Sequence, residues 1–248
     1  MSLAALNPGR EPPVLDLSGA ALFLDLDGTL APIVSRPDEV GPDPRRTSLL
    51  ERLRRGLDGR LAVVSGRTLA DLDRILEGRV PALAAVHGLA RRDAQGELVS
   101  TPPHPGLNLA VEALRAFIDG HPGLIVEDKG LSVALHYRLA PHLARDARLE
   151  AEAVAEACGL ALQPGDMVME LRTPGAGKGD SLRAFMSERP FVAAVPIFVG
   201  DDLTDEAGFE AAQALGGFGV LVGPRRDTAA RFRLADVEAA LAWLEQAR

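Results

Sequence analysis

Five consecutive apolar residues, Ala20-Ala21-Leu22-Phe23-Leu24, run directly into Asp25-Leu26-Asp27-Gly28-Thr29. So short an apolar run, closed by a turn containing glycine, predicts a strand buried on both faces, as strands of parallel sheets are. In open α/β sheets the residues just beyond the C-terminal end of a strand line the ligand crevice. Two carboxylates emerge at that position here, with Gly28 to permit the turn. Side by side they repel unless a cation or a shared proton relieves them. The arrangement suits a nucleophile and an acid/base working over a hard metal ion.

The same rhythm repeats along the chain. Leu61 to Val64 predicts a second buried strand ending at Ser65-Gly66-Arg67, and Ala82 to Val86 a third ending at His87-Gly88. Asp43 and Pro44 open a helix with an apolar stripe of Leu49, Leu50, Leu53 and Leu57, and a second helix runs from about Thr68 to Leu76. Leu89 to Ser100 predicts a hairpin turning at Gln95-Gly96. After Gly177 a helix begins at Lys178, and the strand Val195 to Val199 ends at Gly200-Asp201-Asp202. A helix from about Asp205 to Ala214, the strand Gly219 to Val222 and a helix from about Asp236 to Glu245 complete this part.

Between the two stretches the pattern changes. Helix-strand-strand occurs twice: Leu107–Ile118 with strands near 124–127 and 131–136, then about 141–158 with strands near 160–163 and 167–171. That order predicts a small antiparallel sheet with helices on one face. The expected organisation is therefore a catalytic core of residues 1–105 and 173–248, interrupted by an inserted α+β domain at 106–172. Residues 1–18 are expected to be a loose lead-in.

Composition narrows the function. A net charge of -8 argues against a nucleic-acid or anionic-membrane partner. The single cysteine, Cys158, rules out an intrachain disulfide framework and fits the cytoplasm. No run of 18 apolar residues and no basic start with an apolar core is present, so neither a membrane span nor a signal peptide is expected. A monomer acting on a small molecule is the expectation.

Of the 27 basic residues only Lys129 and Lys178 are lysines. A bias toward arginine this strong should leave lysine where a compact point charge is needed and a planar fork does not fit. Gly175-Ala176-Gly177-Lys178-Gly179 hints at a nucleotide-binding loop, but the first glycine and the Ser or Thr which that motif requires are replaced by Arg172 and Gly179. The second acidic cluster, Gly200-Asp201-Asp202-Leu203-Thr204-Asp205-Glu206, also follows a strand, so parallel pairing would bring both clusters to one sheet edge. Carboxylate oxygens and waters are what Mg2+ prefers. Ser65 and Lys178 add a hydroxyl and an ammonium able to hold phosphoryl oxygens.

Asp25-Leu26-Asp27-Gly28-Thr29, Ser65, Lys178 and Gly200-Asp201-Asp202 together resemble the haloacid dehalogenase-like phosphatases, whose fold is a Rossmann-like parallel-sheet α/β core. The position of the insertion resembles their C2-type cap. A narrower likeness rests on Asp25 through Ile33, Val64-Ser65-Gly66-Arg67, His87-Gly88, Lys129 through Arg138, Met169-Glu170-Leu171-Arg172 and Gly200 through Glu206. These stretches are similar to trehalose-6-phosphate phosphatases.

That resemblance implies Asp25 as the nucleophile and Asp27 as the acid/base, with Ser65 and Lys178 completing the catalytic set. It implies Mg2+ held by the Asp25 carboxylate, the Asp27 carbonyl and Asp201, with Asp202 and Asp205 orienting waters and Lys178. Arg67, His87 and Gly88 would line the core side of the substrate cleft, and Glu127, Lys129 and Glu170 would contact sugar hydroxyls. Other phosphatases of sugar phosphates (mannosyl-3-phosphoglycerate or sucrose 6-phosphate), a sugar phosphomutase and a silent sugar-phosphate-binding module are the alternatives.

Overall fold

Strand β1 (Ala20–Leu24) is buried at every position and lies fourth in an eight-stranded sheet. The computed structural model describes residues 10–248. On one side of β1 follow β2 (Leu61–Val64), β3 (Ala82–Ala85), β4 (Ala90–Arg92) and β5 (Leu98–Ser100); on the other follow β10 (Val195–Gly200), β11 (Phe218–Val222) and β12 (Phe232–Leu234). The run from β12 through β3 is parallel, and β4 returns antiparallel to β3. The register of β1 with β10 sets Leu24 beside Val199, so the loops carrying the two acidic clusters leave neighbouring strands together.

Alternation along β1 divides its side chains between the two faces. Ala21 and Phe23 face helices α5 (Lys178–Met186) and α6 (Glu206–Ala214), in a core with Phe185, Phe191, Phe198 and Phe209. Phe23 lies 5.5 Å from Phe191 and 6.0 Å from Phe185, centroid to centroid. Three further helices belong to this unit: α1 (Pro44–Gly56), α2 (Leu69–Leu76) and α7 (Val237–Glu245). Asp43 caps α1 by accepting from the Arg46 N–H, and Asp236 caps α7 through the Ala239 N–H.

The chain divides into two compact units, one comprising residues up to Val99 together with Ala176–Arg248, the other Ser100–Gly175. In the second unit, β6 (Ile125–Asp128), β7 (Ser132–His136), β9 (Val168–Arg172) and β8 (Ala161–Gly165) form an antiparallel sheet in that order. Its helices α3 (Leu107–Ile118) and α4 (Ala144–Cys158) pack on each other and share a core with Val133, Leu135, Met169 and Leu171. Strand alternation leaves Glu127, Ala134, Glu170 and Gln163 in one row on the opposite face.

Three details differ from expectation. Of the lead-in expected to be loose, residues 1–9 lie outside the described residues, but Arg10 to Ser18 is tied down. Leu15 and Leu17 are buried, Leu17 N–H donates to the Arg248 carbonyl, and the Trp243 indole donates to the Pro13 carbonyl. The third strand stops at Ala85 rather than Val86, because Val86 and His87 adopt φ of 47° and 57° in a 3-10 turn. β12 is an additional edge strand. Among the described residues, no helix is long and apolar enough to cross a membrane.

Candidate active site

The ends of β1 and β10 and the start of α5 converge on one buried cluster. Lys178, the first residue of α5, is 4% exposed, and its Nζ donates to Asp25 Oδ1 at 3.0 Å and to Asp205 Oδ1 at 2.6 Å. An ammonium at a helix N-terminus opposes the macrodipole, so the two carboxylates must supply the compensation. Thr29, fully buried, lies with its hydroxyl 3.5 Å from Asp201 Oδ1. Gly28 is required here on two counts. Its φ is +82°, and a Cβ would stand 2.0 Å from Asp201 Oδ2.

Oxygens of Asp25, Asp201 and Asp205 lie within 4.8 Å of one another. Asp205 is already engaged on both sides: one oxygen takes Lys178, and the other accepts the N–H groups of Asp201 and Asp202, each at 3.0 Å. Asp25 and Asp201 are therefore the carboxylates best placed for a hard cation, and the all-oxygen donor set fits a divalent ion of the Mg2+ type. Asp202 turns away into its own loop, where its carboxylate accepts from the Leu203 N–H.

Electrostatics points the same way. Burial drives Asp25 well above the ordinary carboxylate range; Lys178 pulls it down, and Asp205, Asp201 and Asp27 push it up. Asp201 is pushed from 3.8 to about 7, first by burial and then by Asp205. Burial works against the charge on Lys178, but Asp205 and Asp25 outweigh it and raise the net value.

These shifts fix a sign for stability. The folded state holds the Asp201 proton more tightly than the unfolded chain, so this group's contribution falls as pH rises from about 4 to about 7. With chelator present, the melting temperature of Asp201→Asn minus that of the wild type is expected to grow between pH 5 and pH 8. Millimolar Mg2+ should then raise the wild type at pH 8. Differential scanning fluorimetry checks both, and a flat difference across the range contradicts the assignment.

Asp27 does not join this cluster. Its carboxylate is held by Arg67 in a two-pronged pair, Nε to Oδ2 at 2.7 Å and Nη2 to Oδ1 at 2.8 Å. Arg67 also donates to the Pro37 carbonyl, and its N–H lies 3.3 Å from Ser65 Oγ. Ser65 is fully buried, and its carbonyl accepts the His87 N–H. The His87 ring covers Gly66 so closely that a Cβ there would meet Nε2 at 2.5 Å. Gly88, at φ +107°, brings its backbone against Ser181 and the Gly177 carbonyl.

In the second unit, Glu127, Lys129 and Glu170 gather on the polar face of the sheet. Lys129 Nζ donates to Glu170 Oε2 at 3.0 Å, and Ser132 Oγ donates to Glu170 Oε1 at 2.6 Å. His136 Nε2 lies 2.8 Å from Glu127 Oε2. Burial tends to raise Glu127, but the His136 hydrogen bond and the Lys129 charge together bring it below its usual value. Ser132 and His136 are not among the site residues expected from the sequence. Their period-2 spacing from Glu127 and Glu170 across the pairing was the available signal.

A sequence profile of the trehalose-phosphatase family matches residues 23–238. The trehalose-6-phosphate phosphatase of Escherichia coli is 40% identical, over 96% of this chain and 90% of that protein. A crystal structure of a trehalose-6-phosphate phosphatase related protein superposes with a TM-score of 0.74 at 31% identity, covering 90% of this chain and 95% of that one. A phosphatase of the haloalkanoate enzyme superfamily from Bacteroides thetaiotaomicron shares the fold, with a TM-score of 0.58 at 17% identity over 98% of this chain and 96% of that one. With the parallel α/β core and the buried Asp25–Lys178–Asp205 cluster, the match across most of the chain leads to one conclusion: this protein belongs to the trehalose-phosphatase family.

Proposed function

We propose that the chain hydrolyses trehalose 6-phosphate to trehalose and phosphate, using Mg2+, in the cytoplasm. The observation that carries the reading is the buried Lys178 joining Asp25 to Asp205 beside Asp201, in a chain 40% identical to a trehalose-6-phosphate phosphatase. Asp25 attacks phosphorus, the bond from phosphorus to the sugar oxygen breaks, and an aspartyl-phosphate forms on Asp25. Asp27 delivers a proton to the departing oxygen, then takes one from the water that hydrolyses the intermediate. Ser65 and Lys178 hold the phosphoryl oxygens as charge develops. Asp25, Asp201 and the Asp27 carbonyl would hold Mg2+, which would supply neutralisation of the phosphoryl charge.

Arg67 gains a role in this scheme. Its two bonds fix the orientation of the Asp27 carboxylate and leave each oxygen a second lone pair through which a proton can pass. Asp205 orients Lys178, and Asp202 shapes the loop that presents Asp201. His87 and Gly88 line the cleft beside Ser65. Glu127, Lys129 and Glu170 read the sugar hydroxyls, a task for which fixed, paired polar groups are suited. The lone cysteine supports the cytoplasmic reading.

Phosphate release from a panel of sugar phosphates tests the substrate. Trehalose 6-phosphate is expected to exceed sucrose 6-phosphate and mannosyl-3-phosphoglycerate in kcat/KM by at least about 100-fold, because buried polar groups reject a sugar that leaves them unpaired. Glu127→Gln and Glu170→Gln should raise KM for trehalose 6-phosphate and leave p-nitrophenyl phosphate turnover nearly unaffected. Equal rates across the panel would sink the substrate assignment, and recovery of an isomeric sugar phosphate would indicate a mutase.

A further inference from the structure

The acidic loop after β10 is gripped from two sides, and only one grip belongs to the residues discussed so far. Its N–H groups, at Asp201 and Asp202, are taken by Asp205. Its carbonyls are taken by Arg226, whose Nη2 donates to the Asp202 oxygen at 2.8 Å and to the Asp201 oxygen at 3.3 Å. Arg226 stands in the loop after β11. Because β11 runs parallel to β10, that loop leaves the sheet at the same edge as Asp201. Arg226 is itself held by Glu206, the last residue of the Gly200–Glu206 stretch, which accepts from its Nη1. Glu206 also accepts the Thr228 hydroxyl at 2.8 Å and the Ala229 N–H at 2.7 Å, fastening the whole 226–229 turn.

We infer that Arg226, fixed by Glu206, is a positioning residue that sets the Asp201 carboxylate for the divalent ion. Three carbonyls, those of Asp201, Asp202 and Asp227, and the Glu206 carboxylate converge on one side chain, more acceptors than the three donors of an ammonium can meet. The clasp lies on the main chain of the loop, so it acts on where Asp201 points rather than on the reacting atoms. Residues that orient a metal ligand govern affinity for the ion more directly than they govern the chemistry. The inference also gives Glu206 a task distinct from the three acids before it.

The inference rests on Asp201 being a metal ligand, and the experiment separates the two. Isothermal titration of chelated protein with Mg2+ alone compares the wild type, Arg226→Ala, Arg226→Lys and Asp201→Asn. Arg226→Ala is expected to weaken Mg2+ binding by about 10- to 100-fold, and the Mg2+ concentration for half-maximal turnover should move by the same factor. Arg226→Lys should recover only part of the loss. Wild-type affinity in Asp201→Asn would overturn the ligand assignment itself. Loss in Asp201→Asn with unchanged affinity in Arg226→Ala would overturn the clasp alone. Should Arg226→Ala fail to fold, Thr228→Val loosens the same turn more gently; the inference then requires a measurable weakening in it and in Arg226→Lys, and wild-type binding in both refutes it.

Discussion

Asparagine in place of Asp25 is expected to lower phosphate release by at least about 10^4-fold, with the fall in kcat rather than KM. An amide of nearly identical shape keeps a hydrogen-bond acceptor toward Lys178 but has no charge with which to attack phosphorus. The folded state should not suffer. Asp25 is buried beside two other carboxylates, and its charge is disfavoured by burial first and by those neighbours next. Removing it leaves Lys178 paired with Asp205. In chelator the variant is therefore expected to melt no lower than the wild type at pH 8. Loss of function without loss of stability marks a residue kept for chemistry at the expense of the fold. Turnover above one-hundredth of the wild-type rate would remove Asp25 as the nucleophile.

Methionine in place of Lys178 should have the opposite profile, with activity and stability lost together. Its stem fills the same space, but Asp25 and Asp205 are then left as buried carboxylates with no counter-charge. Breaking a buried pair by deleting one partner typically costs about 3–5 kcal/mol. Mg2+ should restore part of that stability by supplying charge near Asp25. It should not restore turnover, because the ammonium proposed to hold a phosphoryl oxygen is gone. Chemical denaturation with and without Mg2+ measures the first effect, and phosphate release measures the second. A variant that unfolds at the wild-type midpoint would contradict the burial argument.

Legibility in the sequence followed how a residue earns its place. Strands β1, β2 and β10 were plain because burial on both faces demands unbroken apolar runs. β12 was hidden because Arg231-Phe232-Arg233-Leu234 alternates, as an edge strand does, with Phe232 and Leu234 buried. The approach of Asp25, Lys178 and Asp201 was readable from strand-end placement. The pairing of Asp27 with Arg67 was not, because a carboxylate's partner depends on rotamers that no spacing encodes. The clasp of Arg226 on Glu206 escaped for another reason. One arginine among 25 carries no compositional signal, whereas one lysine among two does.

The partners of this cluster are distant along the chain: 153 residues separate Asp25 from Lys178, and 172 separate Thr29 from Asp201. A chain emerging from the ribosome thus completes β1 long before β10, its neighbour on one side, exists. Until β10 arrives, that edge of a strand buried at every position stays open to other chains. In the second unit the β6–β7 and β8–β9 pairs are local and the β7–β9 pair spans at most 40 residues (Ser132 to Arg172), against 175 between Ala20 and Val195, so its lower contact order favours earlier formation. Assembly of the core sheet waits for β10, and any interval in which residues beyond Gly175 are missing leaves that edge of β1 exposed.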